Sequence, residues 1–426
     1  MVTPVSRYGP RVVPNTMQTI GALEKSGELI EGPHIAKFEA AFSERVLGRR
    51  AIAASYGRMA FFYILKALQF PAGSEVIFPA LTFWVMPEMA RQAGLKPVFA
   101  DVDPATFNIT AATIERAVTL RTVAVVPTHL WGLPCDMDEI MSVASRHGLA
   151  VIEDCAHALG ATYDGWPVGT FGHAAIFSFQ TFKPLNAYGG GMAVVHDPDV
   201  ASRVAALASA EPLPPMERVK HRLWHGRVMR LATRPDVFKW TLFPLMYACT
   251  RLHWSIDMYF WEKIRPLSPM PEDYHERFTN VQAAIALEGL ARLDVWTAQR
   301  QRHAAQMNEM LGDVPGIRIP VVPAGRTHVY YQYCAYVPSR DAVVATCLRR
   351  GIDLETLHVD VCSDLELFGR PSARANTPGA RQSTGTVQIP IYESLSEHQL
   401  ASVSAAVREA VQALEPRAEA AVREPS

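Results

Sequence analysis

A single lysine, Lys183, stands in FSFQTFKPLNAYGGGM (residues 177–192), between an aromatic apolar run and three consecutive glycines. The chain carries eight lysines against 33 arginines, and the lysines nearest to Lys183 are Lys96 and Lys220. An amine that is to condense with a carbonyl must be desolvated or held beside other cations, so that it can lose a proton. A strand end followed by a glycine-rich turn offers both enclosure and close backbone approach. A surface lysine at a strand end reads the same way, so the amine needs partners before it means chemistry.

Three further stretches could supply them. VIEDCAHALG (151–160) ends an apolar run on Glu153 and Asp154, and the carboxyl end of a parallel strand is where open α/β sheets bind ligands. Pyridoxal phosphate needs such a carboxylate to keep its ring nitrogen protonated, which makes the ring an electron sink. ASYGRMAF (54–61) has the form of a strand, a glycine turn and a helix start, which can hold a phosphate on free amide groups; a plain turn has the same form. LTFWV (81–85) brings aromatics able to stack on a ring, or to do no more than fill a core. His221 and His225 are four apart, as metal ligands on a helix can be. No third ligand lies near them in the sequence, so no metal is expected.

The elements that must position these residues follow from periodicity. HIAKFEAAFSERVL (34–47) places Ile35, Phe38, Phe42 and Val46 at helical spacing. AIAAS, SEVIFP, KPVFAD, TVAVV, AVIED and AAIFSFQ are short apolar runs bounded by glycine or proline and separated by helix-compatible stretches. Such alternation means parallel strands joined by crossover helices. The predicted organisation is an N-terminal segment (1–30), an α/β large domain (31–212), an inserted basic and aromatic helical segment (213–272), a linking helix (273–300), a small C-terminal α+β domain (301–414) and a disordered tail (415–426). One long helix is predicted from Phe278 to Leu311.

Composition sets further bounds. Lys+Arg 41 against Asp+Glu 42 leaves a net charge of −1, which argues against a nucleic-acid partner. Cys135, Cys155, Cys249, Cys334, Cys347 and Cys362 are widely spaced and form no C-x-x-C pair, as expected of buried thiols in a reducing compartment. The first residues hold no apolar signal core. A cytoplasmic enzyme is expected.

The order and wording of GELIEGPHIAKFEAAFSERVLG, PVFADVDPATFNI, VVPTHLWGLPCDMDEI, IEDCAHALGATYDGWPVGTFG, YHERFTNVQAAIALEGLARLD and IPIYESLSEHQLASVSAAV resemble the DegT/StrS family of pyridoxal-phosphate-dependent sugar aminotransferases. The resemblance implies a three-layer α/β large domain with a mostly parallel sheet, of the aspartate-aminotransferase type, and a smaller C-terminal α+β domain. By matching position, Lys183 would be the Schiff-base lysine and Asp154 the partner of the pyridine nitrogen. Ser178 would bind the cofactor phosphate together with Gly57 and Arg58, Phe83 would stack on the ring, and His157 would lie near the ring oxygen. Histidine replaces lysine in the related sugar dehydratases, so Lys183 speaks for transamination. The family's Ser-Gly-Thr phosphate turn reads Tyr56-Gly57-Arg58 here, and its Asn-Tyr-Arg segment, which reaches the phosphate of a neighbouring subunit, reads His275-Glu276-Arg277. His328 and Tyr331 occupy the substrate-side positions.

The resemblance further implies a homodimer, pyridoxal 5'-phosphate as cofactor, an amino-acid donor such as glutamate, and a keto-sugar acceptor that is nucleotide-linked or, alternatively, lipid-linked or amphiphilic. The other reading is a regulatory or membrane-associated binding protein that keeps the fold without turnover. Residues 213–270 bear on that choice. Arg218, Lys220, Arg222, Arg227, Arg230 and Arg234 are interleaved with apolar residues, and an aromatic-rich run with Trp240, Phe243 and Trp254 follows. The apolar run is shorter than the ~20 residues a spanning helix needs. It reads either as a helical pair at a dimer interface or over the site, or as an element lying on anionic lipid at the inner face of the membrane.

Overall fold

A computed structural model of the chain describes residues 4–7, 9, 13–251, 262–356, 359–369 and 376–414. The expected disordered tail, 415–426, and Trp254 lie outside the described residues.

The six predicted apolar runs form strands β1 (Arg50–Ala54), β2 (Glu75–Pro79), β3 (Lys96–Ala100), β4 (Thr122–Val125), β5 (Ala150–Asp154) and β6 (Ala174–Ser178). A seventh, β7 (Gly191–Val195), completes a sheet of order β1-β7-β6-β5-β4-β2-β3. The pairs from β6 to β3 are parallel, whereas β7 runs antiparallel to both β6 and β1. The stretch between β6 and β7 contains no helix. A connection too short for a crossover must return antiparallel, and this makes β7, which was not among the runs read from the sequence, the antiparallel member of the expected mostly parallel sheet.

Helices cover both faces. On one side lie α3 (Gly57–Leu68), α4 (Val85–Gln92) and α7 (Pro198–Ala210), packed on Ile52, Ile152, Ile176 and Val195. The opposite face divides in two. Phe38 and Phe42 of α2 (His34–Arg45) meet Phe177 and Val194. Farther along, α5 (Ala111–Ala117) and α6 (Met137–His147) cover Ile77, Val125 and Val151. Successive strand residues thus serve opposite cores, as the two-residue period requires.

The N-terminal segment contains a helix, α1 (Thr16–Ser26), and its first residues cross to the small domain. There Val5 pairs with Ile352 and the Arg7 guanidinium meets the Asp353 carboxylate at 2.8 Å. The predicted long helix is two helices, α10 (Asn280–Leu290) and α11 (Leu293–Leu311). They dock differently: Ala283 and Ala286 of α10 pack against the Phe38 cluster, whereas Met307 and Leu311 of α11 pack into the small domain. That domain is an antiparallel sheet, β8 (Tyr333–Tyr336), β9 (Glu355–Thr356) and β10 (Thr386–Ile389), in the order β8-β10-β9. The helices α12 (Arg340–Arg349) and α13 (Glu397–Gln412) pack beside it.

The three glycines after Lys183 have distinct tasks. Gly189 and Gly190 take positive φ angles, +127° and +100°. Gly191 has an ordinary φ, but a Cβ on it would overlap the backbone nitrogen of Gly57 at the start of α3. Gly191→Ala should therefore cost about 3 kcal/mol of unfolding free energy, because backbone has to move. Gly148→Ala, at a φ of +63° with open space around it, should cost only about 1 kcal/mol. Urea unfolding of the two variants checks the difference.

Candidate active site

The carboxyl ends of β5 and β6, the start of α3 and the turn after β2 meet at one cavity of about 590 Å³. Its wall contains Gly57, Arg58, Phe83, Asp154, His157, Ser178, Lys183 and Tyr331. Eight of the ten candidate residues, drawn from distant parts of the chain, are thus brought together. His275 and His328 do not line the cavity.

Glu153 and Asp154 are adjacent, and the strand pleat sends them to opposite sides. Glu153 accepts hydrogen bonds from the backbone N–H groups of Gly169 (2.8 Å), Phe171 (2.9 Å) and Gly172 (2.7 Å), and lies 3.0 Å from His129 Nε2. Burial pushes its pKa up, but His129 and these amides outweigh burial and hold it below the usual carboxylate range. It is a structural anion that ties the 169–172 loop to the sheet. Asp154 is buried and faces the cavity, accepting at 3.0 Å from the Ala156 N–H. Burial raises its pKa, and the Ala156 N–H and the charge of Lys183 oppose that rise only in part. A cationic N–H in the cavity would stabilise this carboxylate in its charged form.

Lys183 enters from the loop after β6, and its Nζ lies 4.7 Å from the centroid of the Tyr331 ring. Tyr331 packs in turn on His157 at 4.3 Å, and His157 stacks on Trp131 at 5.7 Å. The amine therefore sits over an aromatic face on one side and within the field of Asp154 on another. Tyr331 comes from the stretch leading into β8, so the small domain contributes to the wall.

At the start of α3, Tyr56 occupies the N-cap position without a side-chain cap. The first N–H groups of the helix are left for an acceptor from outside it, and helix N-termini favour anions. A Cβ on Gly57 would come 3.0 Å from the Phe177 carbonyl and 3.2 Å from the Ser178 Cβ, so helix start and strand end are as close as glycine allows. Two buried hydroxyls in the wall, those of Thr82 and Thr128, have no hydrogen-bond partner among the described residues.

Arg58 is engaged by partners within the chain. Its buried guanidinium pairs with Glu262 at 2.6 Å, hydrogen-bonds the Tyr274 hydroxyl, and lies 5.5 Å from the centroid of Phe83. Glu262 and the Asp273 carboxylate are wall residues that sequence reasoning did not single out. Helix α8 (Met216–Ala232) adds Arg218, His221, Arg222 and His225. Their i, i+3, i+4, i+7 spacing was a legible signal of one helical face. Arg218 is held by the buried Glu276 at 2.5 Å, with Arg222 3.5 Å from the same carboxylate.

His275 lies at the surface, its Nδ1 3.2 Å from Glu211 Oε1. His328 is buried, its ring stacked on Tyr330 at 4.0 Å and its Nδ1 accepting from the Tyr330 N–H at 2.9 Å; burial lowers its pKa to about 3. Among the described residues the one cluster with metal-ligand spacing is His129, Glu153 and Cys155. The Glu153 carboxylate there is already saturated by His129 and three amides. Also among the described residues, no helix is long and apolar enough to cross a membrane.

Comparison with known proteins places this geometry in context. The chain is 33% identical over 351 residues to a pleiotropic regulatory protein of Geobacillus stearothermophilus, covering 82% of this chain and 81% of that one. It is 30% identical over 354 residues to a UDP-N-acetyl-3-dehydro-alpha-D-glucosamine 3-aminotransferase of Acidithiobacillus ferrooxidans, covering 83% and 82%. Its fold matches the X-ray structure of an aminotransferase from Psychrobacter cryohalolentis with a TM-score of 0.77 at 26% identity, over 97% of this chain and 100% of that one. The sequence profile of the DegT/DnrJ/EryC1/StrS aminotransferase family matches residues 10–233 and 254–408. The chain, with its cavity-facing lysine, carboxylate and glycine turn, belongs to the DegT/DnrJ/EryC1/StrS aminotransferase family.

Proposed function

We propose that this protein is a pyridoxal-phosphate-dependent aminotransferase that moves an amino group from an amino acid such as glutamate to the keto group of a sugar-like acceptor. The observation that carries the reading is the opposition of the Lys183 amine and the buried Asp154 carboxylate across a cavity that also receives the uncapped start of α3. The cofactor fits the residues present. Gly57 and Ser178 form a cradle for its phosphate, Phe83 offers an aromatic face, and the Thr82 and Thr128 hydroxyls are polar groups awaiting a partner. When bound, pyridoxal phosphate supplies an aldehyde and a protonated ring that withdraws electrons.

The chain's own groups do the rest. Asp154 holds the proton on the ring nitrogen, because its charged form gains from a cation what burial withholds. Lys183 Nζ gives up its proton to act as nucleophile, then serves as the general base and acid that moves a proton to and from the donor's α-carbon. Tyr331 limits where the amine can swing, and His157 stands beside that ring. The acceptor carbonyl takes the amino group in the reverse sequence. The acceptor is a nucleotide-linked keto sugar or a lipid-linked, amphiphilic one, and the relative named as acting on UDP-N-acetyl-3-dehydro-alpha-D-glucosamine supports the first. Retention of both reactive groups disfavours a regulator without turnover.

The working unit in this proposal is a homodimer in which His275, outside its own chain's cavity, donates to the cofactor phosphate of the other copy. A histidine so placed replaces the family's asparagine contact.

Five measurements test these statements. With glutamate and no acceptor, the cofactor-loaded enzyme should release one 2-oxoglutarate per site; absence of release would sink the central claim. Lys183→Arg should reduce turnover roughly 10⁴-fold while circular dichroism stays unchanged. Asp154→Asn should lower activity about 10²–10³-fold. Because burial raises the Asp154 pKa above that of an unfolded carboxylate, the native charged form costs stability at neutral pH and nothing below about pH 4, where both states are protonated. The cofactor-free Asn variant should melt on the order of 2–4 °C above the wild-type apoprotein at pH 7–8, and this gain should vanish at low pH. His275→Ala should weaken cofactor binding about tenfold, as loss of a charge-assisted hydrogen bond does; an unchanged titration would remove His275 from the site.

A further inference from the structure

Helix α8 presents three faces. At 100° per residue, Val219, Leu223 and Gly226 share the side that is buried. Arg218, His221, Arg222 and His225 share the side that borders the cavity. The third side carries Lys220, Trp224, Val228 and Leu231; the Lys220 ammonium lies 3.5 Å from Glu24 Oε1, and the apolar side chains stay exposed, Trp224 by 59% and Leu231 by 52%. The elements that follow extend this surface, with Trp240 75% and Leu245 55% exposed, Leu245 lying on α9 (Leu242–Arg251). Isolated exposed apolar residues need no explanation, but two tryptophans and several aliphatic side chains on successive elements of one segment do.

Charge decides what covers them. Between residues 213 and 251 there are eight lysines and arginines against two acidic residues, in a chain whose net charge is −1. Arg218 and Arg222 face inward to Glu276, while Lys220 and Arg227 flank the outward apolar side of α8, and the Lys239 ammonium lies 5.3 Å over the Trp240 ring. Residues 234–253, which include Trp240 and Leu245, lie outside both stretches matched by the family profile, whereas α8 lies within the first of them. Aromatic residues mixed with cations, on helices too short to cross a bilayer, are the composition of an interfacial element.

We infer that α8, α9 and the turn between them dock this protein on an anionic lipid surface, with Trp224 and Trp240 seated at the headgroup level and Lys220, Arg227, Arg234 and Lys239 contacting the lipid phosphates. Because an adjacent side of α8 borders the cavity, the membrane lies within about one helix diameter, ~10 Å, of the cavity wall. The surface is independent of the transamination reading, since it uses none of the residues assigned to that chemistry.

The test is vesicle flotation of the full-length, cofactor-loaded protein. Phosphatidylcholine vesicles are compared with vesicles in which part of that lipid is replaced by phosphatidylglycerol. The protein should float only with the second kind and should be released by high salt. Trp224→Ser/Trp240→Ser and Arg234→Glu/Lys239→Glu should each lower partition about tenfold or more, with 2-oxoglutarate release from glutamate and the mass by light scattering unchanged. Failure to float with either vesicle, or equal flotation with both, overturns the proposal. A change of oligomeric mass in the tryptophan variant also overturns it, because the surface is then a contact between copies of the chain. Since flotation reads attachment alone, a failed attachment and a failed transamination are told apart.

Discussion

The approach of two backbones at the floor of the cavity is the constraint on which the rest depends. Gly191 opens β7 directly against Gly57, which opens α3, with no room for a side chain on the former. That contact requires β7 to lie between β1 and β6, and β7 lies there because the loop bearing Lys183 is too short to carry a crossover. Strand direction, glycine run and lysine position are thus one solution to one geometric problem. The result puts a helix N-terminus, the end of β6 and the lysine loop around a single space.

Electrostatics then divides labour between neighbours in sequence. Glu153 and Asp154 leave β5 on opposite faces, and their surroundings give them opposite characters. Four donors stabilise the first as a permanent anion. The second receives one backbone N–H and the field of an amine. An under-compensated buried carboxylate is costly in isolation; in the proposed function a protonated cofactor ring would supply the missing cation.

Arg58 illustrates how a departure from a family pattern can be absorbed. In place of the family's hydroxyl at the turn before α3, the chain has a guanidinium that pairs with Glu262 and Tyr274 and packs by Phe83 within the cavity wall. It braces the aromatic wall and ties Glu262 to the turn before α3, and α8 adds its inward arginines and histidines to the same wall.

The strand series, the helix α2, the glycine turn, the lysine and the carboxylate pair were legible in the sequence. Each rests on a local pattern: alternation of apolar runs, helical spacing, or a residue type with one chemical use. The break between α10 and α11 was not legible, since Ala291 and Arg292 are ordinary helix formers and only the two docking partners separate the helices. The direction of β7 and the commitment of Arg58 to Glu262, 204 residues away, were likewise decided by tertiary structure. So was the exclusion of His328 from the cavity by its stacking on Tyr330. Sequence by itself determined which groups this protein has for chemistry, because residue type sets nucleophilicity and charge. Only the folded chain decided which of them share a space and which are neutralised, because partners, burial and hence proton affinity come from residues far apart along the chain.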